Sequence, residues 1–288
     1  MKIRYWLLAA AFAIPFVADA QTEDTLSLGG RRVVVWEPAG RATARWPVVI
    51  FSHGLGGCPT QSRFMTKGLA ARGYLVIAPL HGDAGCMKRK SSRTVRPPVP
   101  FSQPARWTAA TYANRSADVR AVVAALPTSQ LGADADLSRL AIAGHSLGGY
   151  TALSLGGAWS LTRLPEVKAV LALAPYSKPF LAHGTMSDMS LPVMFQAGAL
   201  DVDITTAIRK RGGAFDEAAG PKYFVEFRGA RHSSWGNRPN PSHDAMLAYA
   251  AAFLDRYVRG EGDNDVLESK LPGVVELRGP GALVAKSR

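Results

Sequence analysis

One serine stands in a setting that would make its hydroxyl reactive. Residues 144–149 read G-H-S-L-G-G, with an apolar strand-like run at 140–143 before them and a helix-forming stretch at 150–155 after them. A serine on a sharp strand-to-helix turn needs small neighbours, because bulky side chains at Gly144 and Gly148 would collide with the strained backbone. We therefore predict that Ser146 is a catalytic nucleophile; an ordinary glycine-rich turn is the alternative.

A second glycine-rich loop stands upstream of the serine. Residues 52–57 read S-H-G-L-G-G and directly follow the apolar run 48–51. An oxyanion hole needs two backbone N–H groups aimed at one point, which here would come from the residue after the serine and from a loop after an earlier strand. The sequence thus predicts the N–H groups of Leu147 and Leu55 for this role. His53 is then a residue that orders the loop, with a role as catalytic base as the alternative.

A histidine base should follow the last strand, because the serine comes first in such chains and the acid and the histidine follow in that order. His232 stands directly after the last predicted strand and is the predicted base. His243 is the alternative, but it begins a predicted helix, where capping is its simpler role. His81, His145 and His183 come too early in the chain and remain candidates for the walls of a pocket.

The acid should lie on the turn after the strand that precedes this histidine. The apolar stretch 192–198 is followed by Asp201, which is the predicted acid, and Asp203 is the alternative if the turn is longer. Asp188 precedes that strand, and Asp216 lies well inside the next helical stretch.

The rest of the chain alternates strand-length apolar runs with helix-like stretches. The apolar runs lie at 33–36, 47–51, 74–79, 140–143, 169–174, 192–197 and 223–227. The helix-like stretches lie at 61–72, 115–126 and 243–258. The alternation predicts an α/β fold whose mostly parallel central sheet carries helices on both faces. A basic, proline-rich loop at 87–110 is a candidate lid or surface decoration, and the tail from Gly260 is predicted to be extended and loosely attached.

These motifs together resemble the α/β-hydrolase superfamily over most of residues 30–258. The F-S-H-G-L-G segment at 51–56 is similar to the oxyanion loop of platelet-activating-factor acetylhydrolases, and G-A-R-H-S at 229–233 is similar to the histidine loop of bacterial cutinase-type polyesterases. Dienelactone-hydrolase-like proteins share this branch, although true dienelactone hydrolases carry cysteine where this chain has Ser146. Acetylhydrolases place the acid after the strand that here ends at Pro175, where no carboxylate stands, so the resemblance favours Asp201 at the cutinase-like position.

The resemblance implies a serine hydrolase that cleaves carboxylic esters through Ser146, Asp201 and His232 and an acyl-enzyme intermediate, with no metal or organic cofactor. Tyr176 and Trp235 are candidate substrate contacts, with ordinary packing as the alternative for each. A peptidase or amide hydrolase and a non-catalytic binding protein on the same fold are the competing functions. The acyl chain length and the oligomeric state stay open.

The first twenty residues have the pattern of a secretory signal peptide. Lys2 and Arg4 precede an apolar stretch at 6–17, and the small-residue pattern A-D-A at 18–20 precedes Gln21. A membrane anchor is the alternative, but the stretch is shorter than the ~20 residues that a spanning helix needs. We expect a secreted or periplasmic protein without stable membrane insertion, in which residues 21–288 form a single domain.

Export would place the two cysteines, Cys58 and Cys86, in an oxidising compartment. A disulfide between them is therefore predicted, and two free thiols are the alternative.

The composition limits the remaining function classes. Of the 288 residues 47% are hydrophobic and 19% charged, which excludes disorder and collagen. The formal charge of +12 is spread along the chain, with a short basic run at residues 88–90. Because no base-reading helix, zinc module or aromatic-rich sheet motif accompanies this charge, we expect a small-molecule or polymeric ester as partner and no nucleic acid.

Overall fold

The computed structural model describes residues 23–40, 44–87, 97–262 and 265–280. The strands are β1 (Glu23–Leu28), β2 (Arg31–Trp36), β3 (Trp46–Ser52), β4 (Leu75–Pro79), β5 (Ala135–His145), β6 (Val167–Leu173), β7 (Val193–Gly198), β8 (Lys222–Phe227) and β9 (Val274–Arg278). The helices are α1 (Arg63–Ala70), α2 (Ala113–Ala125), α3 (Leu147–Leu153), α4 (Lys178–Ala182), α5 (Val202–Arg209), α6 (Ala214–Glu217) and α7 (His243–Leu254).

All of these strands join one sheet in the order β1-β2-β4-β3-β5-β6-β7-β8-β9. Neighbouring strands from β4 to β8 run parallel, whereas β1, β2 and β9 pair antiparallel at the two sides. Strands β4 and β5 lie on opposite sides of β3, so the connection from β3 to β4 and the connection from β4 to β5 run in opposite directions across the sheet. Because parallel crossovers are right-handed, this reversal puts α1 and α2 on opposite faces. The predicted α/β fold with a mostly parallel sheet is confirmed.

The core lies where the sequence is continuously apolar. Residues 48–51 of β3 and 75–78 of β4 are fully buried, as expected of parallel strands that helices cover on both faces. Helix α1 buries Met65, Leu69 and Ala70 together with Thr66, so one side of the helix faces the core. The predicted helices at 61–72 and 115–126 match α1 and α2 within a few residues. The predicted helix at 243–258 matches α7, which continues as a wider turn over residues 255–259.

The C-terminal segment is attached more firmly than its sequence predicts. Strand β9 pairs antiparallel with β8, Leu267 is buried, and the hydroxyl of Tyr249 donates a hydrogen bond to the carbonyl of Ser269. The prediction of a loosely attached tail from Gly260 is therefore wrong for its described residues 265–280. The physical reason is that the backbone groups on the outer edge of β8 would be unpaired without β9, which forms hydrogen bonds with them. At the other side of the sheet, β1 adds a strand ahead of residue 30.

The proline-rich loop between β4 and α2 packs on the domain through aromatic side chains. Its residues 88–96 lie outside the described residues, and its described part holds a single-turn 3₁₀ helix at Pro104–Arg106. Trp107 is fully buried, and its ring lies 5.3 Å from that of Phe101 and 5.1 Å from that of Tyr150. The described part of the loop is thus held against the core rather than projecting from it.

The predicted signal peptide, residues 1–20, lies outside the described residues. Within the part of the chain that the structure describes, no helix combines the length and the apolar character needed to cross a bilayer.

Candidate active site

Ser146 lies on a tight turn between β5 and α3. Its backbone angles are φ 56° and ψ −116°, a conformation that costs free energy for a residue with a side chain. A Cβ at Gly144 would lie 2.3 Å from the carbonyl oxygen of Gly148, and a Cβ at Gly148 would lie 1.9 Å from that of Ser52. Both positions therefore require glycine, which is the steric reason for the G-x-S-x-G pattern.

The structure brings His232 and Asp201 into line with this serine. The Nε2 atom of His232 lies 2.8 Å from the Oγ of Ser146, and its Nδ1 atom lies 2.7 Å from the Oδ2 of Asp201. His232 begins a short turn after β8, and Asp201 lies between β7 and α5, so each stands just beyond the carboxyl end of a parallel strand. The three side chains together form a continuous Ser–His–Asp hydrogen-bond relay.

The two alternative residues lie elsewhere. The carboxylate of Asp203 is 76% exposed and forms an ion pair with Lys178 at 2.6 Å. The ring of His243 stacks on Phe64 with centroids 3.6 Å apart, and its Nε2 atom lies 2.8 Å from the carbonyl oxygen of Ser234. Neither side chain joins the relay, since one turns to solvent and the other fastens the start of α7.

The loop of residues 52–57 lies directly against the serine turn. A Cβ at Gly54 would lie 3.5 Å from the Cβ of Ser146. The N–H groups of Leu55 and Leu147 donate no hydrogen bond within the described part of the chain. Two free donors beside a candidate nucleophile are what an oxyanion hole requires.

His53 lies inside this loop and not in the relay. Its Nδ1 atom lies 2.8 Å from the carbonyl oxygen of Gly54, and its Nε2 atom lies 3.2 Å from the backbone nitrogen of His81. The His81 N–H is a donor, so Nε2 of His53 accepts and Nδ1 carries the proton. Burial, followed by the nearby charge of Arg115, holds the pKa of His53 well below its usual range. A neutral ring with a fixed tautomer orders the loop, as the sequence predicts.

His145 has a role that the sequence does not reveal. It is the residue before Ser146, and its Nδ1 atom accepts a 2.8 Å hydrogen bond from the amide of Gln61. Its Nε2 atom donates to the backbone carbonyl of His232 at 2.8 Å, and burial lowers its pKa to about 3. The Oε1 atom of Gln61 in turn accepts the N–H of Gly54 at 3.0 Å. Gln61 and His145 therefore connect the loops that carry Leu55, Ser146 and His232.

The two predicted substrate contacts are covered by other parts of the chain. Trp235 is fully buried, and its Nε1 atom donates to the Oε1 of Gln196 at 3.1 Å, so it supports the histidine loop from behind. Tyr176 is 3% exposed, and its hydroxyl donates to the carbonyl of Phe101 at 2.6 Å. The prediction of these two residues as substrate contacts is therefore wrong: each packs inside the protein and has its polar atom paired.

Cys58 and Cys86 are joined by a disulfide, with their Cα atoms 5.9 Å apart. The bond ties the loop after β3 to the segment after β4. The N–H of Gly85 adds to this connection, because it lies within hydrogen-bond distance of the carbonyl oxygens of Gly56 and Gly57. The predicted disulfide is present, and it constrains the far end of the loop that carries Leu55.

Among the described residues, no group of three or more histidine, cysteine, aspartate or glutamate side chains is arranged to hold a metal ion.

Two families match the chain, and their matched stretches meet inside the proline-rich loop at residues 94–95. Residues 25–95 match the family described as platelet-activating factor acetylhydrolase, isoform II. Residues 94–269 match the family described as PET hydrolase-like, and this stretch holds Ser146, Asp201 and His232. The chain belongs to the PET hydrolase-like family. The resemblance predicted from the oxyanion and histidine loops is confirmed by these two matches.

Two curated relatives are similar to part of this PET hydrolase-like chain. Cutinase est2 of Thermobifida alba is 26% identical over 125 residues, which cover 43% of this chain and 37% of the relative. Cutinase 2 of Thermobifida cellulosilytica is 30% identical over 139 residues, which cover 45% of this chain and 44% of the relative. Each similarity thus spans less than half of the relative's own length.

Proposed function

We propose that this protein is a serine hydrolase that cleaves carboxylic esters. The observation that carries the proposal is the relay in which His232 lies 2.8 Å from Ser146 and 2.7 Å from Asp201. Family membership and the two cutinase relatives support ester hydrolysis in the same direction. The free N–H groups of Leu55 and Leu147 beside the serine supply the remaining part that acyl transfer needs.

In the proposed reaction, Nε2 of His232 takes the proton of Ser146 while Oγ attacks the ester carbonyl carbon. Asp201 holds the imidazole through Nδ1 and stabilises its charged form. The carbonyl oxygen becomes an oxyanion that accepts hydrogen bonds from Leu55 and Leu147. When the tetrahedral adduct collapses, the alcohol leaves with the proton from His232, and an acyl-serine remains. Water then attacks that acyl group by the same route, and the carboxylic acid leaves.

We also propose that the protein works outside the cytoplasm as one domain formed by residues 21–288. The supports are the signal-like sequence of residues 1–20 and the Cys58–Cys86 disulfide, a bond that persists in oxidising compartments. Mass spectrometry of the protein purified from an expressing host should find a chain that begins at Gln21. A full-length chain beginning at Met1 would contradict export by cleavage.

The test of the activity is hydrolysis of p-nitrophenyl acetate, butyrate and a long-chain ester by the chain from Gln21, with Ser146→Ala as the matched variant. We expect turnover that falls by at least ~10⁴-fold in the variant, because the nucleophile is removed while the fold is kept. The chain-length trend then separates small esters from lipid-like or polymeric ones. Equal, low rates for both proteins would contradict the proposal and favour a binding protein on this fold, whereas faster cleavage of a matched anilide would favour an amide hydrolase.

A further inference from the structure

A fully buried arginine lies directly behind the loop that carries Leu55. Arg115 belongs to α2, and its side chain has no exposed surface. Its Nε and Nη2 atoms donate to the two carboxylate oxygens of Asp83 at 3.2 and 2.7 Å. This bidentate pair fixes the plane of the guanidinium group and leaves its remaining donors pointing at the loop.

Those remaining donors bind three consecutive residues at the start of the loop. Nη1 donates to the carbonyl oxygen of His53 at 2.6 Å and reaches the hydroxyl of Ser52 at 3.3 Å. Nη2 donates to the carbonyl oxygen of Gly54 at 3.2 Å. Carbonyl groups of an irregular buried segment need donors, and here one side chain supplies them at successive positions.

The contact with Gly54 decides the direction of a catalytic group, because its carbonyl belongs to the same peptide plane as the N–H of Leu55. The described chain has no cis peptide, so the C=O and N–H of this unit point in opposite directions. The Gly54 carbonyl is held by Arg115, by Nδ1–H of His53 at 2.8 Å and by the N–H of Gly57 at 3.0 Å. The N–H of Leu55 must therefore point away from these donors.

The arginine is itself held by a second buried relay. The hydroxyl of Ser52 lies 2.9 Å from Nε2 of His81, and Nδ1 of His81 lies 3.0 Å from the Oδ2 of Asp118. Asp118 also accepts a hydrogen bond from Arg31 at 2.6 Å. This Ser–His–Asp arrangement is closed to solvent at the serine and the histidine, so it braces the loop instead of forming a second reactive site.

We propose that Arg115 is a positioning residue of the oxyanion hole, which sets the Gly54–Leu55 peptide so that the N–H of Leu55 faces the oxyanion formed on Ser146. The inference rests on the proposed ester hydrolysis. Arg115 does not touch substrate, and its effect passes through one peptide plane. The oxyanion exists only after Oγ attacks. A misoriented N–H of Leu55 should therefore lower the rate of the chemical step more than it weakens substrate binding.

The test uses the double variant Arg115→Met/Asp83→Asn. Removing only the arginine would leave a buried carboxylate unpaired and would risk unfolding, whereas the double variant removes both charges together. The matched control is Arg120→Met, because Arg120 lies on the same helix and donates to the carbonyls of Thr162 and Arg163, away from Ser146. Each protein is assayed for kcat and KM on p-nitrophenyl butyrate, and its thermal midpoint is measured.

Active-site titration with diethyl p-nitrophenyl phosphate counts the competent serines, so that unfolded molecules do not count as slow ones. We expect kcat per titrated site to fall about 10- to 100-fold in the double variant, below the ~10²–10³-fold cost of deleting a donor because His53 and Gly57 still hold the Gly54 carbonyl. KM should stay within about threefold of the parent, since uniform substrate binding is kept.

Three results would overturn the inference. One is a fall in kcat per titrated site of less than fivefold in the double variant, and another is an equal fall in Arg120→Met. The third is an effect on KM with kcat preserved, which would assign Arg115 to ground-state binding. If the parent itself has no Ser146-dependent turnover, the proposed function fails together with the inference; if the parent is active and only one of the three results is found, the inference alone fails.

Discussion

Replacing His145 with glutamine should make the free energy of unfolding less dependent on pH. The imidazole is enclosed between Gln61, whose amide donates to Nδ1, and the carbonyl of His232, which accepts from Nε2. A second proton on Nδ1 would face the amide donor, and the amide cannot turn over without losing its bond to the N–H of Gly54. Burial is the largest cause of the lowered pKa of about 3, and the nearby His232 adds to it.

The sign and size follow from proton linkage. An unfolded histidine has a pKa of about 6.5, so between pH 6.5 and the folded pKa the unfolded state binds one more proton than the native state. The free energy of unfolding therefore rises by about 1.4 kcal/mol for each pH unit through this window, and it decreases by the same amount for each unit as the pH falls. For His145, whose folded pKa is about 3, the loss between pH 7 and pH 5 is about 2 kcal/mol.

Urea unfolding of the disulfide-intact protein at pH 7 and pH 5 measures this quantity. Glutamine still offers a donor to the His232 carbonyl but does not titrate, so the pH 7 to pH 5 difference should shrink by about 2 kcal/mol in His145→Gln. Burial also lowers the pKa values of His53 and His81, so part of the parent's loss in acid remains in the variant. Ser146→Ala changes the adjacent residue without removing a titrating ring and should reproduce the parent. A variant whose difference equals that of the parent would refute the assignment of His145 as a neutral buried ring.

Two further experiments test the identity of the catalytic acid and the contribution of the disulfide to stability. Asp201→Asn should lower kcat by about 10⁴-fold, because the histidine loses the carboxylate that fixes its tautomer. Asp203→Asn should leave ester turnover within twofold, since its contact with Lys178 is an exposed ion pair. The reverse ranking would assign the acid to Asp203. Replacing both Cys58 and Cys86 with serine should lower the free energy of unfolding by about 3 to 4 kcal/mol, as expected for a cross-link between residues 28 apart, and a loss below about 1 kcal/mol in urea unfolding would contradict this.

Local patterns carried much of the fold and the centre of the site. The serine turn is readable because its glycines are required by contacts among residues 144–148 and with β3, and because a buried parallel strand is apolar at nearly every position. The order of serine, acid and histidine along the chain follows from the order of the strands, so Asp201 and His232 were within reach of the sequence. Their distances to one another were not, because the loops that hold them are far apart in the chain.

Tertiary contacts decided the rest. Whether Trp235 and Tyr176 face a substrate or the core depends on Gln196 and Phe101, which are 39 and 75 residues away in the chain. The loose tail became a strand because β8 has an edge to cover, which no pattern inside residues 274–278 reveals. Arg115 looks like any arginine on a predicted helix until the fold buries it behind the Leu55 loop. Hydrophobic periodicity reports only which face of an element is buried, whereas hydrogen-bond partners are chosen by packing between distant segments.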